Sequence, residues 1–305
     1  MSHIRSISLA ILVLTLIFGA GSWAVAQERI TIEHDLGRAE VVKNPSRVIV
    51  FDYGILDMLQ ELGIEPMGLP KSNLPAYLSH FRAESFADVG TLFEPNFERI
   101  YELRPDVIFI STRQQEVYPE LSRIAPTVFL AVDNNDYLGS LQAHARLLGE
   151  LFDREALVEE ELAAIEADFA AIGDQVAQEG WNALVIMAND GALSAYGPGS
   201  RFNLVYDEFG FIPAASRIVA STHGQTISFE FIPEINPDFL IVIDRGATVG
   251  GSVTAQQTLN NPLVRLSDAY QNDRILYLSS PEWYVAAGGL QSTRVMIEDI
   301  RKGIK

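Results

Sequence analysis

The sequence predicts an α/β protein built from two Rossmann-like lobes, each around a mainly parallel central sheet, joined by one long rigid α-helix. Three observations carry this expectation. Short β-rich runs alternate with helix-patterned runs in both halves of the 305-residue chain, the rhythm of a covered parallel sheet. A segment of the first half recurs in the second at a constant offset of 132 residues, without a gap. Between the halves, Arg154 to Gly180 contains no proline and is rich in Ala, Glu and Leu, a composition that suits one continuous helix.

In chain order, residues 1–26 read as a secretory signal: basic Arg5, an apolar run from Ile7 to Phe18, and the small-residue site Ala24-Val25-Ala26 before Gln27. The run is too short for a comfortable membrane span, and no cysteine at the cleavage site invites a lipid anchor. RITIEHDLGRAEVV then alternates apolar and polar residues around a glycine, as a hairpin does. RVIVFD is a strand and GILDMLQELG a helix closed by glycine. NFERIYEL, DVIFIS, EVYPELSRI and TVFLAV continue as helix, strand, helix and strand, which completes an N-terminal lobe over residues 27–153. The connecting helix, residues 154–180, would reach roughly 36 Å at the α-helical rise. A continuous strut of that kind disfavours large hinge closure. NALVIMA, RFNLVYDEFG, FEFIPEI, DFLIVID and RILYLSS repeat the rhythm in a C-terminal lobe over residues 181–305.

Composition narrows the function. With 48% hydrophobic residues the chain can bury a sizeable core. Its 22 Lys+Arg against 40 Asp+Glu give a formal net charge of -18, which argues against nucleic acid as a partner because phosphate contacts need clustered cations. An anionic ligand requires a local basic patch instead. The absence of cysteine removes disulfides, thiolate metal sites and Cys nucleophiles, leaving His, Tyr, Asp and Glu as metal ligands.

The internal repeat supplies such a patch. Phe97-Glu98, Ile100, Glu102, Pro105-Asp106 and Arg113 recur as Phe229-Glu230, Ile232, Glu234, Pro237-Asp238 and Arg245. In each copy a Glu-bearing helix leads through Pro-Asp into a strand, and an Arg stands where the strand ends. Ligands of open α/β sheets bind at the carboxyl ends of the strands, so these two arginines are placed to face one cleft. YGPGSRF is a Gly/Pro turn opening a helix, with Arg201 at the helix start, a setting that favours an anion. It lacks the spacing of a phosphate loop or a dinucleotide fingerprint. His223 lies in the polar loop STHGQTIS, while His34, His80 and His144 occupy ordinary hairpin, helix or loop settings. WYVAAGGLQS places Trp283 and Tyr284 before a small-residue stretch, with core packing the default for the Trp and a rim position open to the Tyr. HExxH, GxSxG and SxxK are all absent from the sequence. A secreted hydrolase with a carboxylate pair fits composition alone but is disfavoured, since the acids fall on helices rather than in a Gly-flanked loop pair.

Across essentially all of the chain after residue 26, the segments SRVIVFDYGILDMLQELGI, ADVGTLFEPNFERIYELRPDVIFIS, YGPGSRFNLVYDEFGF, HGQTISFEFIPEINPDFLIVIDR and NDRILYLSSPEWY resemble the periplasmic substrate-binding proteins of bacterial ABC importers for iron-siderophores and cobalamin, the rigid-helix class. YGPGSRF, the HGQ loop, the late DR and WY resemble most the ferric-catecholate binders for enterobactin- or petrobactin-type ligands. The resemblance implies a non-enzymatic, monomeric periplasmic protein with no intrinsic cofactor. Ferric iron arrives as a siderophore complex and is delivered to an ABC permease in the inner membrane. It further implies that Arg113, Arg201 and Arg245 face the anionic chelate, with Trp283 beside them, that His223 and Tyr284 ligate iron, and that Glu98 and Glu230 dock on the permease. The alternative ligand is another iron chelate or a corrinoid: a hydroxamate complex, ferric citrate, haem or cobalamin.

Overall fold

A computed structural model describes residues 27–305 apart from 219 and 222; the signal reading of residues 1–26 lies outside the described residues. The chain opens with an antiparallel hairpin, β1 (Arg29–His34) and β2 (Gly37–Val42), that buries Ile32, Ala39 and Val41. β3 (Val48–Val50) leads into α1 (Tyr53–Glu61), followed by β4 (Gly68–Leu69), β5 (Ala87–Asp88) and α2 (Phe97–Leu103). β6 (Val107–Ile110), a 3-10 segment at 112–117, α3 (Tyr118–Leu121), β7 (Thr127–Phe129) and α4 (Tyr137–Leu151) complete this half. The strands form one sheet in the order β5-β4-β3-β6-β7, every pair parallel. Its central strands are buried along their whole length, Val48 to Val50 and Val107 to Ile110, as expected of a sheet covered on both faces.

α5 (Glu155–Glu179) realises the long helix. Its 25 residues reach about 37 Å. Gly180 ends it in the left-handed conformation, φ 67°, which a Cβ disfavours. Val158, Leu162, Ile165, Phe169, Ile172 and Val176 form one buried stripe at alternating four- and three-residue spacing. Burying each such side chain contributes roughly 1.5–3 kcal/mol. Of the glutamates between them, Glu159, Glu160 and Glu166 are exposed, while Glu161 is half-buried against α12.

The second half contains β8 (Asn182–Asn189), β9 (Ala192–Tyr196), α6 (Leu204–Asp207), β10 (Ile212–Pro213), β11 (Gln225–Ile227), α7 (Phe231–Ile235) and β12 (Phe239–Asp244). It ends with α8 (Arg245–Val249), α9 (Ala255–Leu259), α10 (Asp268–Gln271), β13 (Ile275–Tyr277), α11 (Ser280–Tyr284) and α12 (Leu290–Gly303). β8, β10, β12 and β13 pair parallel, but β9 and β11 join antiparallel. This sheet is mainly parallel, as the sequence reading expects, with an antiparallel edge at β9 and β11. The reason for that edge is local: Asp190 and Gly191, both at positive φ, form a two-residue Asp-Gly turn between β8 and β9.

The repeat has a structural meaning. Arg104 and Asn236 both close their helices in the left-handed conformation. Just beyond, Asp106 accepts from the backbone N–H groups of Ser46 (3.0 Å) and Arg47 (2.9 Å), and Asp238 from that of Asn182 (3.0 Å). Each Pro-Asp pair thus pins the entry of the neighbouring central strand, β3 or β8. α12 then returns across the molecule to pack on α1 and α5. Buried Asp57 of α1 accepts from the N–H groups of Gln291 and Ser292, both 2.8 Å, at the start of α12, and from the Tyr77 hydroxyl at 2.6 Å. Arg294 bridges Glu61 of α1 and Glu161 of α5. One apolar core consequently runs from the first sheet through α5 and α12 into the second. That continuity, together with the strut, stiffens the connection.

Candidate functional site

Strand ends deliver the basic residues. After β6, Ser111 caps the 3-10 segment that carries Arg113. After β12, Asp244 caps α8 by accepting from the Ala247 N–H at 3.0 Å, and Arg245 is the first residue of that helix. Arg201 lies in the turn after β9, three residues before the short α6 rather than at its start, so local helix polarity contributes little there. The turn is held instead by Asn203, whose Oδ1 accepts from the Gly199 N–H at 2.8 Å.

All three guanidinium groups converge on Tyr284. Arg201 Nη2 donates to the Tyr284 carbonyl at 2.8 Å and Arg113 Nη2 to the same oxygen at 3.3 Å. Tyr284 is the last residue of α11, so its carbonyl has no partner within the helix and accepts from outside. Arg245 Nε donates to the Tyr284 hydroxyl at 3.0 Å, and its Nη1 to Asn189 Oδ1 at 3.1 Å. The Tyr284 ring lies against two of the cations, with Arg201 Cζ 4.4 Å and Arg245 Cζ 5.8 Å from its centroid. Burial, reinforced by the charge of Arg113, lowers the Arg201 pKa from the ordinary guanidinium value, while the nearby Tyr284 works the other way. Guanidinium groups held in this way present oriented N–H forks, the geometry with which Arg can recognise planar oxyanions.

The neighbouring tyrosine, Tyr196, donates to the His223 carbonyl at 3.0 Å, and burial pushes its phenol up to about 12. The His223 backbone is thereby tied to β9, while the His223 side chain is exposed, immediately before β11. Glu98 and Glu230 are exposed, at the first turn of α2 and the N-cap of α7. Trp283 requires a correction. It is 1% exposed, its Nε1 donates to Asp299 at 3.0 Å, and its ring packs near Phe209 in the core, so it offers the cleft no surface. Successive side chains on a helix point about 100° apart, so on α11 Trp283 can face the core while Tyr284 faces the arginines.

Sequence reading missed Asp52, Asn189 and Ser111. Asp52 Oδ1 accepts from the Gly54 and Ile55 N–H groups (2.9 and 3.1 Å), and its Oδ2 accepts from the Ser111 hydroxyl at 2.6 Å and lies 3.8 Å from Arg113 Nη1. A signal was available in the Asp directly after VIVF, the N-cap type at a strand-to-helix turn. Gly54 is needed beside it, because a Cβ there would stand 2.5 Å from the Ala287 carbonyl oxygen.

Residues 48–282 match the periplasmic binding protein family. The chain belongs to that family. It is 45% identical over 283 residues to the petrobactin-binding protein YclQ of Bacillus subtilis, covering 92% of this chain and 89% of that protein. The crystal structure of YclQ superposes with a TM-score of 0.89, covering 92% of this chain and 99% of the other. The ferric-anguibactin-binding protein FatB of Vibrio anguillarum is 35% identical, over 90% of this chain and 87% of that protein. The periplasmic catecholate-siderophore binding protein VctP of Vibrio cholerae matches with a TM-score of 0.87 at 38% identity, over 90% of this chain and all of that one. The two α/β halves and the long joining helix of this family member are those expected from its sequence. Among its described residues, no helix is long and apolar enough to cross a membrane.

Proposed function

We propose that this family member captures a ferric siderophore of the catecholate type in the periplasm and hands it to an ABC importer of the inner membrane, without catalysing a reaction. The observation that carries the reading is the convergence of Arg113, Arg201 and Arg245, from two sheets, on one tyrosine. A chain of net charge -18 concentrates three cations at one point for an anion, and the relatives YclQ, FatB and VctP are named for petrobactin, ferric anguibactin and catecholate siderophores. Arg113, Arg201 and Arg245 form the anion-binding floor. Tyr284 and His223 supply a phenolate and an imidazole to iron where the chelator leaves positions open, ligands that suit ferric iron. Ferric iron is cargo here, brought in by the chelate.

Glu98 and Glu230, at matching points of the repeat, meet the permease, and residues 27–153 and 181–305 act as the two lobes held apart by the 154–180 helix. Native mass spectrometry of residues 27–305 against a panel of ferric catecholates, hydroxamates, citrate, haem and cobalamin tests this. Preferential retention of a ferric catecholate is expected; retention of a hydroxamate or corrinoid instead would overturn it.

A further inference from the structure

The two strand-end arginines that lie beside a central strand are not given equal neighbours. Arg113, after β6, faces the Asp52 carboxylate at the end of β3, 3.8 Å away. Arg245, after β12, faces the neutral Asn189 amide oxygen at the end of β8, 3.1 Å away. β3 is to β6 what β8 is to β12, the adjacent parallel strand. The same place in each sheet thus holds a carboxyl group in one half and an amide in the other. Asp52 is fixed there: its carboxylate takes two backbone N–H groups of α1 and the Ser111 hydroxyl, and its side chain is 13% exposed. Among the described residues, Arg201 and Arg245 make no ion pair within 4 Å. Two acids near Arg245 are committed to backbone donors: Asp190, which feels its charge, to the Ser252 and Val253 N–H groups at 2.7 and 3.1 Å, and Asp244 to those of Ala247 and Ala255 at 3.0 and 2.7 Å.

We infer that Asp52 is a specificity-determining residue: by compensating part of the Arg113 charge, it sets the cleft to prefer ferric chelates of low negative charge over fully saturated ones. This rests on the reading of the cleft as a ferric-catecholate site. Each catecholate dianion brings two negative charges against iron's three positive ones. A ferric bis-catecholate therefore carries one formal negative charge and a tris-catecholate three. A fixed carboxylate repels the second more than the first. Asn189, being neutral, adds no such repulsion on the Arg245 side.

The test is the ratio of affinities for two synthetic probes, a ferric bis-catecholamide and a ferric tris-catecholamide, measured by fluorescence quenching at low ionic strength. Asp52→Asn keeps the cap, since Asn serves there as well as Asp, and removes one charge. With two charges separating the probes, a separation of about 9 Å and the dielectric of water, the least favourable case, the ratio should move at least about fivefold toward the tris-catecholate. The shift should shrink as salt is raised. Asn189→Asp places a carboxylate beside Arg245 and should move the ratio the opposite way. A merely structural role for Asp52 would weaken both probes alike and leave the ratio unmoved in Asp52→Asn. Ratios unmoved in both variants overturn the inference while the functional reading stands. Wild-type protein that binds neither probe overturns the functional reading and the inference with it.

Discussion

Replacing Arg201 by alanine removes the shorter hydrogen bond to the Tyr284 carbonyl and the nearer cation on its ring. The Nη2 donor 2.8 Å from the Tyr284 carbonyl disappears, and so does the cation 4.4 Å above the Tyr284 ring. In the absence of ligand the carbonyl keeps Arg113 at 3.3 Å, so the tyrosine is not orphaned and the fold should survive with little loss. Ligand binding should not. Hydrogen bonds from a charged donor contribute about 1.5–3 kcal/mol, which is roughly ten- to 150-fold in affinity for one arginine that contacts the chelate. Arg201→Lys restores the charge but neither the fork nor the stacking, and it should recover only part of that loss. The assay is quenching of Trp181 and Trp283 by a ferric bis-catecholate, Trp283 being the neighbour of Tyr284 in the chain. Full wild-type affinity in Arg201→Ala would refute the reasoning, and so would complete rescue by lysine, which would reduce the arginine to a point charge.

His223→Ala and Tyr284→Phe should weaken a ferric bis-catecholate while leaving a saturated tris-catecholate nearly unchanged, and Tyr284→Phe should lose any phenolate-to-iron charge-transfer band; equal losses for both chelates would point to packing instead. The double variant Glu98→Ala, Glu230→Ala should bind the ferric chelate normally yet fail to stimulate ATP hydrolysis by the reconstituted importer, because two charges on separate lobes orient the protein on its partner; full stimulation would refute the docking role. Asp57 is raised by burial to about 6 from the ordinary 3.8, so the folded state holds a proton that the unfolded state has released between these values. Stability from this group is therefore present below about pH 4 and lost as pH rises toward 6, an amount of about 3 kcal/mol at the usual conversion. Asp57→Asn, which turns an amide N–H toward one of the two backbone N–H donors, should cost about 1–3 kcal/mol, and its deficit in chemical denaturation should widen from pH 7 to pH 4.5; a pH-independent deficit would refute the linkage.

What the sequence revealed and what it hid divide along physical lines. Strand runs buried on both faces, such as VIFI, and the apolar stripe of α5 follow from burial patterns that need only local chain geometry. The repeat placed Arg113 and Arg245 because each is tied by a fixed number of residues to a Pro-Asp that pins a strand. Two features were visible in principle but outweighed: the Asp190-Gly191 turn, whose residue types announce a tight hairpin, and the inward turn of Trp283, which one helical residue separates from Tyr284. Long-range features were not legible. Asp57 meets the start of α12 from a position 234 residues earlier, and Asp52 meets Arg113 across two strands. Neither pairing leaves a trace in spacing. Yet these contacts decide how the arginines are aimed, since Asp52 and Ser111 hold the Arg113 segment and the carbonyl at the end of α11 gathers Arg113 and Arg201 from different sheets. A cleft whose cations are held by one tyrosine, on a helix anchored through Trp283 to Asp299, can remain oriented without closing around its ligand. A continuous helix between the two sheets disfavours large closure, and on the proposed reading affinity then has to come from donors already in place.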